Sequence, residues 1–71
     1  MNINNEEQAR SLIEQWQTDP PMAQRKNLRL ALESLELSQM YYEQKGNAQG
    51  ESRVIACIAI VNQRIQDLEK A

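Results

Sequence analysis

The sequence predicts an all-α protein, an antiparallel coiled-coil-like helical hairpin preceded by a short N-terminal helix, in one domain spanning 1–71. Three observations predict it. Val54, Ile58, Val61, Ile65 and Leu68 recur at steps of four and three, which lines them up on one side of a helix. The stretch from Met22 to Lys45 contains neither Gly nor Pro, so nothing interrupts a second long helix. Between these two stretches lies Lys45-Gly46-Asn47-Ala48-Gln49-Gly50, which holds both glycines of the chain and reads as one turn.

The first helix is predicted over about 5–17. Asn5 can accept a hydrogen bond from the third backbone N–H beyond it, and Gln8 can reach back as in a capping box. Glu6 and Glu7 suit the positive end of the helix dipole. Ala9, Leu12, Ile13 and Trp16 then mark one face. Residues 1–4, ahead of the cap, are expected to fray. Asp19-Pro20-Pro21 ends the helix, because each proline lacks an N–H and disfavours helix in the residue before it. The same prolines fit the start of the next helix, where the missing donor would be unpaired anyway.

The hairpin is predicted over about 21–70. On its first helix the apolar residues form two sides: Leu28, Ala31, Leu32, Leu35 and Tyr42 on one, Ala23, Leu30, Leu37 and Tyr41 nearly opposite, with Met22 and Met40 on their flank. Gly46 can take the left-handed conformation that closes a helix, and Asn47 tolerates it. Gly50 loosens the start of the last helix, which could begin anywhere from Ala48 to Ser52. That helix carries eight consecutive apolar residues, Val54 to Val61. It is therefore apolar almost all round over its first two turns, as expected of a helix buried on more than one side. Folding the chain about position 48 sets Tyr42 against Val54, Leu35 against Val61 and Leu28 against Leu68, at a shallow crossing angle.

Composition narrows the function. Phe is absent and Trp16, Tyr41 and Tyr42 are the only aromatics, so aliphatic side chains must build the core. The net charge of −2 argues against a dedicated nucleic-acid binder. Arg25, Lys26 and Arg29 form a small basic cluster better read as a solvated face, with Arg29 and Glu33 an ordinary i,i+4 pair. Cys57 is alone and there is no His, which rules out an internal disulfide and a structural zinc site. With no base at hand and apolar neighbours, Cys57 reads as an inert core thiol. Glu33 and Glu36 lie on a helix without an evident cleft, and no glycine-rich phosphate loop is present. Catalytic, cofactor and metal sites are thus not expected, and the chain reads as non-enzymatic. The apolar run is too short to span a bilayer, residues 1–20 do not look like a leader, and a free thiol suits a reducing compartment. A cytoplasmic location is the expectation.

A hairpin uses only one side of each long helix. Leu30, Leu37, Met40 and Tyr41 on the first, and Ile55, Ala56, Ala59 and Ile60 on the second, are left over as a candidate partner-binding surface. The first helix could fold back on them and close a three-helix bundle. Its length is about 20 Å against about 37 Å for the second, so it should reach the Met22–Leu30 end but hardly the Leu37–Tyr41 end. At 71 residues, a lone core is marginal without a staple, and a partner subunit is the natural substitute.

The overall length, the Gly46-to-Gly50 turn, Glu51-Ser52-Arg53 opening the last helix and Ile58-Ala59-Ile60-Val61 within it carry a family resemblance. Over roughly residues 22–70 the chain resembles the small co-chaperones of type III secretion needle subunits, the YscE, PscE and EscE group. The Trp16 segment and the Asp19-Pro20-Pro21 break lie outside the resemblance. It implies a cytoplasmic hairpin that stabilises a tetratricopeptide-like chaperone, which in turn holds a needle subunit and prevents premature polymerisation. The alternative is a homodimeric four-helix-bundle regulator or adaptor, antitoxin-like in character.

Overall fold

A computed structural model describes residues 3–70. It contains three helices and, among the described residues, no strand: α1 (Glu6–Trp16), α2 (Pro21–Lys45) and α3 (Ala48–Lys70). The start of α1 follows the capping logic with one shift. Asn5 Oδ1 accepts from the Gln8 N–H at 2.8 Å, while Gln8 Oε1 accepts from the N–H of Asn4, not Asn5, at 2.7 Å. The cap therefore ties down the residue ahead of the helix. Fraying was expected over residues 1–4; residues 1 and 2 lie outside the described residues, but Ile3 is half-buried and packs on the core.

Asp19 and the two prolines reverse the chain. Gln24, only 6 % exposed, holds this bend by donating through Nε2 to the Asp19 carbonyl at 2.8 Å. Its Oε1 accepts from Arg64 Nη2 of α3 at 3.1 Å. One buried amide thus joins the bend, α2 and α3.

The turn between α2 and α3 is tighter than the sequence implied. Gly46 adopts φ +69° and its N–H donates to Glu43 O, while the Asn47 N–H donates to Tyr42 O at 2.9 Å, a Schellman closure. Asn47 then caps the next helix, its Oδ1 accepting from the Gly50 N–H at 3.0 Å. Gly50 accordingly belongs to the first turn of α3, where it is buried under the Tyr42 ring.

α3 is the central element, packing against α2 on one side and α1 on another. Leu28 and Leu35 of α2 share one buried cluster with Val54, Val61 and Ile65 of α3, and Ala31 is buried on the same face of α2. The buried side of α3 is turned, however. Cys57 is 1 % exposed, whereas Ile58 and Leu68 of the predicted stripe are only half-buried. The cause is α1, whose fully buried Ala9 and half-buried Ile13 and Trp16 pack on the same core and pull its centre towards Cys57.

The reach of the N-terminal segment also exceeds the expectation. Ile3 and Asn4 line a small recess with Ser38, Tyr42, Gly50, Arg53 and Val54, at the hairpin tip. Extended residues cover about 3.3 Å each against 1.5 Å in a helix, so Ile3 to Asn5 carry the chain further than the helix alone could. The result is a three-helix body of 38 × 18 × 18 Å, with α1 running alongside α3 and not against the back of α2. No helix among the described residues is long and apolar enough to cross a membrane.

Candidate functional site

The packing of α2 and α1 on α3 leaves apolar residues uncovered. Leu30 (49 % exposed), Leu37 (68 %), Met40 (57 %) and Tyr41 (56 %) stand on α2, with Met22 at 82 %. At 100° per residue, Leu30 and Leu37 lie nearly opposite the buried Leu28–Ala31–Leu35 stripe, so they form a ridge along the back of α2. Tyr41 extends it towards the tip. Its ring makes an edge-on contact with Tyr42 at 5.6 Å between centroids, and Lys45 Nζ lies 5.8 Å from its centre. Each leucine is worth about 1.5–3 kcal/mol when fully withdrawn from water, so covering this ridge offers a substantial driving force.

The four α3 positions do not stay together. Ile60 is half-buried and lines, with Ile13, the cleft between α1 and α3. Ala56 is half-buried on the same flank. Ile60 is therefore less open than the sequence implied, because it lines the cleft beside α1. Ile55, 47 % exposed, and the exposed Ala59 lie on the other flank of α3. The single patch read from the sequence divides into two ridges, Leu30–Leu37–Tyr41 on the back of α2 and Ile55–Ala59 on α3. They are separated because the α2 ridge points directly away from α3.

Charges frame the α2 ridge unevenly. Arg25, Lys26 and Arg29 occupy its first half, and Glu33, Glu36 and Glu43 its second. This order opposes the helix dipole, which favours acids near the N-terminus, and α2 has no acidic residue in its first turn. Two of the three cations are engaged at the open end of the hairpin. Arg25 Nη2 donates to Leu68 O at 3.4 Å, and Arg29 lies 3.9 Å from Glu69. Arg29 therefore pairs across to α3, not with Glu33 as the helical spacing suggested. Lys26 and Glu33, both exposed, flank the ridge on the same side.

The remaining chemistry is muted. The α1–α3 cleft, about 340 Å³, is open and lined by Arg10, Glu14, Gln63, Arg64 and Asp67 besides Ile13 and Ile60. Its mixed charges favour no one ligand sign. Burial pushes the Cys57 thiol above its ordinary range, with Glu6 adding to the effect and Arg10 and Arg53 opposing it, so the reactive thiolate is disfavoured. Among the described residues no three His, Cys, Asp or Glu side chains are grouped to hold a metal ion.

No family model, curated protein or solved structure matches the chain.

Proposed function

We propose that this chain is a non-enzymatic protein-binding module whose working parts are the two outer apolar ridges. The observation that carries the reading is the exposure of Leu30, Leu37, Met40, Tyr41 and Ile55 although α1 has already packed on α3. Among the described residues, none of the three helices covers them. Contiguous exposed apolar surface of this kind marks association sites. The two ridges offer helix-on-helix packing, and Ala59 beside Ile55 lets a foreign backbone approach closely.

The resemblance supplies the identity of one partner. On that basis the module is a cytoplasmic co-chaperone that stabilises a tetratricopeptide-like chaperone holding a type III secretion needle subunit. Co-expression with such a chaperone tests it. The expected result is a co-purifying complex whose melting temperature exceeds that of either component. Ile55→Asp, which adds a charge to an exposed site, should break the complex while leaving the helicity of the free chain intact. Failure of the two proteins to co-purify, with the melting of each unchanged by the other, refutes the co-chaperone assignment.

A further inference from the structure

We infer that the α2 ridge is occupied by the α2 ridge of a second copy of this chain, packed antiparallel about a two-fold axis close to Leu30. The inference rests on the reading of the outer ridges as docking surfaces and assigns the occupant of one of them. Its ground is the distribution of charge along α2. Apart from Lys45 in its last turn, the helix is basic in its first half and acidic in its second, an order that the helix dipole disfavours. Arg25 and Arg29 are accounted for within the chain by Leu68 O and Glu69. Lys26 and Glu33 are not: both are exposed and lie on one flank of the apolar ridge.

A two-fold axis through an antiparallel helix pair brings together residues whose numbers sum to a constant. With the axis at Leu30, each Leu30 meets Leu30 of the second copy, and Ala23 opposes Leu37, small against large. The same register brings Lys26 within one residue of the position opposite Glu33 on the flank, twice by symmetry. Met22 approaches Met40, and Tyr41 projects over the Pro20–Pro21 bend of the other copy. The exposed apolar residues of α2 are then covered together. A parallel pair would instead carry Lys26 and Glu33 of the two copies to opposite flanks of the seam and leave each without an opposite charge. An antiparallel pair centred one helical turn later would put Glu33 against Glu33. Charge therefore selects the direction and the register, while the apolar ridge supplies the affinity.

Sedimentation of the full chain from micromolar to submillimolar concentration tests the inference, with Lys26→Glu, Glu33→Lys and the double variant compared. Because each substitution acts at two symmetric pairs, each single reversal should weaken the dimer by on the order of 10-fold. The double reversal should restore it to near the starting value. In a Cys57→Ala background, Leu30→Cys should give a disulfide-linked dimer on oxidation and Gln44→Cys should not. Circular dichroism checks that the variants keep their helicity, as expected for the exposed sites, and the cysteine variants are compared with Cys57→Ala alone because Cys57 is buried.

A chain that stays monomeric throughout overturns the inference, as does a double reversal no stronger than the singles, or cross-linking through position 44 in place of 30. The outcomes also separate the two proposals. A monomeric chain that still binds the repeat-type chaperone, and loses it with Ile55→Asp, defeats only the self-pairing. A monomeric chain indifferent to that chaperone defeats both.

Discussion

Replacing Gly50 with alanine sets two well-understood effects against each other, and the geometry decides between them. Alanine is the better helix former by up to about 1 kcal/mol, so in a solvated first turn the change would help. Here a Cβ would stand 2.7 and 2.8 Å from Cδ1 and Cε1 of Tyr42, and 3.0 Å from Asn47 Nδ2. The ring must move, and its movement disturbs the packing of Ile3 and Val54 beside it. Displacing the Asn47 side chain also weakens the cap on α3, worth about 1 kcal/mol. Overpacking of this kind costs about 1–3 kcal/mol, which leaves a net loss of about 1–2 kcal/mol. For a domain of this length that lowers the melting temperature by about 5–15 °C. Thermal melts followed by circular dichroism at fixed protein concentration measure it. The decisive comparison is the same substitution in a Tyr42→Ala background, where the obstructing ring is gone. There Gly50→Ala should turn neutral or stabilising, and the difference between backgrounds is the coupling energy. Stabilisation by Gly50→Ala in both backgrounds would refute the claim that Tyr42 enforces glycine at this position.

Three further substitutions probe other joints. Gln24→Ala removes the amide that serves both the Asp19 carbonyl and Arg64, and should cost about 1–3 kcal/mol in urea unfolding; no measurable loss would show the bend to be held by the prolines alone. Gly46→Ala meets no atom within 4 Å of the new Cβ, so its penalty of about 1 kcal/mol should come from the positive φ alone, and Gly46→Asn should recover part of it. Glu51 has its carboxyl raised above the ordinary glutamate range, first by burial in the turn and then by the neighbouring Glu43. A raised acid binds its proton more tightly when folded, so its stabilising contribution is present at low pH and is lost as pH rises through the folded value. The melting-temperature advantage of Glu51→Gln over wild type should therefore grow from the carboxylate range towards neutrality, and shrink when Glu43→Gln is added.

The parts of this fold legible in the sequence are those set by local chemistry and helical period. Asn5 and Gln8 mark the first cap, Gly46 closes α2, and Leu28 and Leu35 join Val54, Val61 and Ile65 in one buried cluster. Hidden features share one cause: each depends on where a third element docks. Periodicity gives the angle of Cys57 on α3 but not that Ala9 will seal it. Ile60 and Ile55 are alike as letters in an apolar run, and only the side chosen by α1 half-buries one and leaves the other exposed. Gln24 carries no hydrophobic signal, so its role at the bend had to come from the hydrogen bonds. Asn47 read as a turn residue tolerant of positive φ, whereas it is the cap that makes a two-residue connection possible. Of the candidate surface, the α2 ridge was readable because its residues stand opposite the buried stripe, a relation that helical geometry alone fixes.

The division of apolar side chains between inside and outside links stability to association. The buried set leans on small residues, Ala9, Ala31, Val54, Cys57 and Val61, while Leu30, Leu37, Met40, Tyr41 and Ile55 stand in water. Folding alone does not call for that arrangement: Gln, Glu or Lys at positions 30 and 37 would match leucine closely in helix propensity and remove no core contact. An isolated copy thus gains little from its ridge. Any binder that covers the ridge in the folded state and ignores the unfolded chain raises stability with its own concentration. When the binder is a second copy, the melting temperature of the pure protein must climb as the protein is concentrated. Leu37→Asp places a charge on a side chain 68 % exposed, so it should flatten that climb and leave the dilute-limit melting temperature within a few degrees of wild type. If Leu37→Asp lowers the dilute value as much as the concentrated one, the ridge belongs to the fold of the single chain and not to its association.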